Sequence, residues 1–194
     1  MSLRRALSLL VLLLACPLAE ATEPPPAALD DDDVTVDYRE GTYWGQLSLR
    51  AGVPPALAIE VLTDFEQMAR FIPNVTSSRI VARTGNVYRI AQQGVARFGL
   101  LAFNFESERQ VEVLADGRLL SKGLSGSSKY MRSELRVQPL GQGEASRLDY
   151  RIELAPERWL PSSIGVNFMR HELAEQFNAL VREMEKRQKQ RPGR

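Results

Sequence analysis

From Val34 onward, apolar and polar positions alternate in short runs, the mark of strands with one covered and one wet face. The clearest run is Leu100 to Leu114, "LLAFNFESERQVEVL". Leu101, Phe103, Phe105, Val111 and Val113 share one face, with Asn104, Glu106, Glu108, Gln110 and Glu112 on the other. Ser107 and Arg109 interrupt the apolar face. In 146–154, Leu148, Tyr150, Ile152 and Leu154 point one way and Arg147, Asp149, Arg151 and Glu153 the other. In 128–138, Met131, Leu135 and Val137 oppose Arg132, Glu134 and Arg136. Stretches 75–84, 86–93 and 118–124 also read as strands, and "VTVDYREGTYWGQLSLRAG" begins the series with a turn at Glu40-Gly41. Gly, Asn or Asp marks most of the gaps, as in an antiparallel meander.

Three helices interrupt or close this series. "PPALAIEVLTD" opens on prolines, which suit a first helical turn. "DFEQMARFIP" gives a second short helix, with Asp64 as N-cap and Pro73 as stop. The third starts at Ser162 or Ser163 and runs to about Lys186. At about 100° per residue, Val166, Met169, Leu173, Phe177, Leu180 and Met184 form one stripe, opposite Glu175, Asn178 and Arg182. Phe168 falls out of phase and suggests an exposed apolar spot. "RQKQRPGR" should fray as a basic tail.

The first 33 residues read differently. Arg4 and Arg5 precede an apolar run, Ala6 to Ala15, too short to span a bilayer, and Ala19-Glu20-Ala21 fits a cleavage site. Residues 1–21 are therefore expected to be a removed export signal, placing the chain in the periplasm or outside the cell. Leu13-Leu14-Ala15-Cys16 offers a second reading, a lipoprotein box with a lipid anchor at Cys16. Cys16 is the single cysteine among 194 residues. A chain cut after Ala21 thus has no disulfide and no thiol nucleophile. Losing Arg4, Arg5 and Glu20 takes the net charge from +1 to zero. That gives no electrostatic case for nucleic acid. No transmembrane span is expected in the mature chain. "TEPPPAALDDDD" (22–33) reads as a disordered Pro/Asp-rich tether, leaving 34–186 as one domain.

The order of β-hairpin, two short helices, antiparallel strands and one long helix resembles the α+β helix-grip fold. Its superfamily contains START-related lipid-transfer domains, polyketide cyclase/dehydrase proteins and coenzyme Q-binding proteins. The resemblance is carried by Val61-Leu62-Thr63-Asp64-Phe65, Phe71-Ile72-Pro73-Asn74 and Ser77-Ser78-Arg79, by "YRIAQQGVARF" (88–98), and by "LDYRIELAPERWLPSSI" (148–164). It implies a curved sheet, two short helices at one end, a long helix across the concave side, and an apolar pocket between them.

The pocket's candidate apolar wall is Phe65, Phe71, Phe103, Phe105, Met131, Met169 and Leu173, with Trp159 at the mouth. Gln92 and Arg109, inward by alternation, are candidates for holding a polar head, with Tyr88 beside them. Each of these residues also suits a filled core or a strand end. His171-Glu172 begins like a zinc-binding HExxH motif, but the second His is missing and His171 falls on the polar helix face. No catalytic residue, metal site or cofactor is assigned. The expected function is a monomeric binder or carrier of a small hydrophobic molecule: lipid, isoprenoid quinone or polyketide-like. The alternatives are a cyclase/dehydratase-type enzyme drawing on Arg109, Tyr88 and Tyr150, and an envelope interaction module.

Overall fold

The computed structural model describes residues 28–157 and 162–191. Eight antiparallel strands form one curved sheet: β1 (Thr35–Arg39), β2 (Thr42–Ala51), β3 (Val75–Thr84), β4 (Val87–Phe98), β5 (Leu101–Val113), β6 (Arg118–Gly126), β7 (Ser128–Leu140) and β8 (Ala145–Pro156). The strand order is β1-β2-β8-β7-β6-β5-β4-β3, so β3 to β8 are a plain meander and the β1–β2 hairpin joins at β8. Register shifts in β3, between Glu108 and Arg109, and between Ser128 and Tyr130 interrupt the ladders. Such bulges add local twist and help a wide sheet to curl.

Between β2 and β3 lie α1 (Pro55–Thr63), a 3-10 turn (Phe65–Gln67) and α2 (Met68–Phe71). Pro54 precedes the first helix and Pro55 opens it, where their missing N–H groups are not needed. The 29-residue α3 (Ser162–Gln190) crosses the concave side. Its backbone comes close to β1 and β2 at one edge of the sheet and to β4 towards the other, but not comparably to the middle strands. Its side chains reach the middle strands, Phe168 meeting Phe103 and Phe177 meeting Tyr150.

The end beneath the short helices is solid. Leu57, Val61, Ile90, Leu148 and Met184 are fully buried there. Phe65 meets Tyr88 edge to face, ring centres 5.2 Å apart. Gln92 Nε2 donates to Ser78 Oγ at 3.0 Å and lies 3.2 Å from Met68 Sδ, while Ser78 donates to the Phe65 carbonyl. These contacts pin the short helices to the sheet.

Two expected boundaries move. The tether ends earlier than Asp33: Leu29 is buried and Asp31–Asp33 form a 3-10 turn. The Leu29 N–H donates to Asn178 Oδ1 and Asn178 Nδ2 donates to the Leu29 carbonyl, both at 2.8 Å. One apolar side chain with both backbone groups satisfied is enough to dock a segment whose composition reads as solvated. Residues 22–27 and the expected export signal, with Cys16, lie outside the described residues. At the other terminus α3 does not fray at Lys186. Arg187 bonds Glu183 one turn back at 2.9 Å and Asp64 at 2.8 Å, and Arg191 pairs with Glu60. These pairs anchor the last turn to the short helices.

Candidate ligand site

Strand direction gathers one set of turns at the end opposite the short helices. The β1–β2 turn at Glu40-Gly41, the β4–β5 hairpin at Gly99-Leu100, the β6–β7 turn at Ser127 and the start of α3 all lie there. Leu100 and Ile164 are exposed on this rim. Inward-facing side chains change character toward it. Phe103, Phe105, Ile152, Leu154 and Phe168 face the interior yet keep part of their surface open, unlike the sealed positions under α1. Phe105, Ile152, Leu154 and Phe168 pack against the buried core on one side and keep the rest of their surface open.

Glycines shape its walls. A β-carbon on Gly45 would stand 2.9 Å from Ile152 Cγ2 and 3.0 Å from Leu173 Cδ1, so bare backbone admits the helix here. At Gly94 a β-carbon would meet the Asn74 carbonyl oxygen at 1.9 Å and the Phe105 ring at 2.5 Å. That carbonyl instead accepts the Val95 N–H at 2.9 Å. Phe103 and Phe168 pack edge to face, centres 5.4 Å apart, so Phe168 belongs to the interior rather than to an exposed apolar spot.

A polar band crosses this apolar floor. Arg109 on β5, Ser121 on β6, Ser133 on β7 and Tyr150 on β8 all point inward. Ser121 lies directly opposite Ser133 in the ladder. Arg109 and Tyr150 stand one step off on either side, opposite Gly123 and Leu135. Arg109 Nε and Ser121 Oγ are buried with no hydrogen-bond partner among the described residues. Burial holds the Arg109 guanidinium below its ordinary pKa, with Tyr150 opposing. The Tyr150 phenol is raised by burial, while Ser133 and Arg109 pull it back. Its ring packs on Phe177, centres 4.9 Å apart.

A second polar feature lies between α3 and the β3–β4 side. Glu172 is buried, and Asn74 Nδ2 donates to its carboxylate. Burial raises its pKa to about 7, against the Asn74 amide, the His171 charge and the Arg97 N–H, with Glu175 adding to the rise. His171 itself stands half-exposed, its Nδ1 3.3 Å from Asp31.

The structure divides the expected site residues. Phe103, Phe105, Arg109, Met131, Met169 and Leu173 face one interior, as alternation and helical phase imply. Phe65, Tyr88 and Gln92 do not join them: they belong to the packing under the short helices, where Gln92 gives its amide to Ser78 and Met68. Phe71 packs near the C-terminal end of α3, with the Arg187 guanidinium 5.8 Å from its ring centre. Trp159 lies outside the described residues. Ser121, Ser133 and Glu172 are additions that no motif announces. Strand parity does place both serines inward. A groove of about 740 Å³ also runs over the outer face of the sheet, where exposed Trp44 stands among the exposed charges of Asp37, Lys122, Arg132 and Arg151.

A curved meander gripped by a C-terminal helix defines the helix-grip class. Within it, the chain belongs to the polyketide cyclase/dehydrase and lipid transport family, whose model matches residues 47–185. Among solved structures it is similar to the ZhuI aromatase/cyclase from Streptomyces sp. R1128, at 15% identity over 75% of this chain and 95% of that one, with a TM-score of 0.65. It is also similar to a START superfamily protein from Mycobacterium smegmatis, at 13% identity over 74% and 97% of the two chains, TM-score 0.64. A STAR-related lipid transfer protein from Xanthomonas axonopodis matches at 14% identity over 84% and 99%, TM-score 0.62. At these identities the likeness is one of fold. No curated protein matches the chain.

Proposed function

We propose that the protein binds or carries a small hydrophobic ligand, held between α3 and the middle strands and entering past the rim of Leu100 and Ile164. The observation that carries this reading is the set of inward apolar side chains that remain open to solvent beneath α3: Phe103, Phe105, Ile152, Leu154 and Phe168. Each methylene moved from water into such a space contributes about 0.8 kcal/mol. Ten methylenes would supply about 8 kcal/mol, enough to exceed the lower estimates of what association costs. Family membership supports the same reading. Native mass spectrometry of protein purified from its own host, then solvent extraction, tests it. A co-purifying apolar molecule at one per chain is the expected result, and a ligand-free chain that takes up no added lipid contradicts it.

Export to the periplasm or beyond as a monomer is part of the proposal, resting on residues 1–21. Cell fractionation with N-terminal sequencing checks the first part: Thr22 is the expected first residue, and an acylated Cys16 would replace this with a lipid-anchored form. Light scattering after size exclusion checks the second.

A cyclase or dehydratase reading is favoured by one observation, the Glu172 carboxyl poised near neutrality beside Asn74. Such a group can take or give a proton at physiological pH. Retained ligand binding with lost turnover in Glu172→Gln would support catalysis, and unchanged turnover would remove it.

A further inference from the structure

Four side chains on four consecutive strands share the inner face of the sheet, and all of them can donate hydrogen bonds: the Arg109 guanidinium and the Ser121, Ser133 and Tyr150 hydroxyls. The band contains no carboxylate. The influences on the Arg109 charge are burial and the Tyr150 phenol. A buried guanidinium without an anion is expensive, and an unpartnered buried hydroxyl adds to that expense. Such a donor set satisfies itself when an acceptor-rich, negatively charged group sits among it. Guanidinium presents a planar fork suited to an oxyanion, and hydroxyls from neighbouring strands can complete its coordination. A neutral carbonyl would leave the charge of Arg109 uncompensated.

The position of the band also sets an orientation. It crosses the inner face from Tyr150, packed on Phe177, to Arg109, which stands level with Met131 and Leu154, while Phe103 and Phe168 lie nearer the rim. We infer that the ligand is an anionic amphiphile, an alkyl or isoprenoid chain ending in a carboxylate or phosphate, bound head inward on Arg109 and Ser121 with its tail toward the mouth. This rests on the hydrophobic-binder reading and narrows it: a neutral quinone would be a poor guest.

Calorimetric titration at pH 8 with four probes of one chain length tests this inference: dodecanoate, dodecyl phosphate, dodecan-1-ol and dodecyltrimethylammonium, each below its micelle threshold. The expected result is that at least one anion binds tenfold or more tighter than the alcohol, with the cation weakest. Which anion wins distinguishes a carboxylate from a phosphate head. In Arg109→Met the anion should fall to the level of the alcohol while the alcohol keeps its affinity, and Arg109→Lys should recover part of the preference. Equal affinity of anions and alcohol in the unaltered protein overturns the headgroup assignment alone and leaves the binder reading standing. Failure of all four probes to bind overturns both. The wild-type comparison needs no variant, so it decides the matter even if Arg109→Met misfolds. An equal loss of anion and alcohol in a folded Arg109→Met would also count against the assignment.

Discussion

Asn74, at the turn into β3, donates its side-chain amide to the carboxylate of Glu172 in α3, joining sheet and helix. Burial raises the Glu172 pKa from 4.5 to about 7, so the folded protein holds this proton more tightly than the unfolded chain. Its contribution to stability is therefore full below about pH 4.5 and declines as the pH rises through about 7. Glu172→Gln keeps an acceptor for Asn74 and removes the charge. The variant should lose this slope and melt higher than the wild type at pH 8, by about 1–2 kcal/mol after solvent screening, with little difference at pH 5. Melting curves between pH 5 and 8 check this, and parallel curves for the two proteins would contradict it.

The N-terminal segment is clamped by one side chain. Asn178 satisfies both backbone groups of Leu29. Asn178→Ala should cost about 1–3 kcal/mol in urea denaturation, because two partly buried groups lose their partners. Starting the chain at Val34 should cost a similar amount, and a full-stability truncation would show that the docked segment contributes nothing.

Much of this fold was legible because a strand's period is two: Met131, Leu135 and Val137, or Leu148 to Leu154, leave few alternatives for the buried face. The same parity placed Arg109 inward; Ser121 and Ser133 obey it too, but nothing in the sequence marks them out from other strand serines. It could not show that Gln92 would be engaged by Ser78 and Met68, because that depends on where the short helices dock. Glu172 was unreadable. A lone carboxylate beside a polar His gives no sign of burial, and its partner Asn74 resembles an ordinary turn residue. Leu29 was hidden by composition, one apolar residue among prolines and aspartates. Arg187 looked like the start of a solvated tail because its partner Asp64 is 123 residues away.

Two glycines on the inner face should respond differently to the same methyl group. In Gly94→Ala the added carbon meets backbone at Asn74, which cannot yield, and the loss should be about 2 kcal/mol or more. In Gly45→Ala it meets side-chain methyls of Ile152 and Leu173 rather than backbone, so the loss should be smaller, about 1 kcal/mol. Equal losses in chemical denaturation would argue that the space beside Gly45 is filled.

Ser121 Oγ is buried without a partner among the described residues. With no ligand present, Ser121→Ala should therefore stabilise the protein by about 1 kcal/mol, an unusual direction for a core substitution. A destabilised Ser121→Ala would mean that the hydroxyl has a partner in solution.

The account as a whole depends on room between α3 and the middle strands. Titration of wild type and Leu154→Trp with the neutral fluorophore N-phenyl-1-naphthylamine, with melting temperatures alongside, tests this most directly. Leu154 faces inward and is only partly buried. The wild type should bind one fluorophore per chain, displaceable by dodecan-1-ol, while Leu154→Trp should lose that binding and melt within a few degrees of the wild type, the indole having taken the guest's place. A wild type that binds none, with a Leu154→Trp variant destabilised by the about 1–3 kcal/mol typical of overpacking, would mean that the interior is solid.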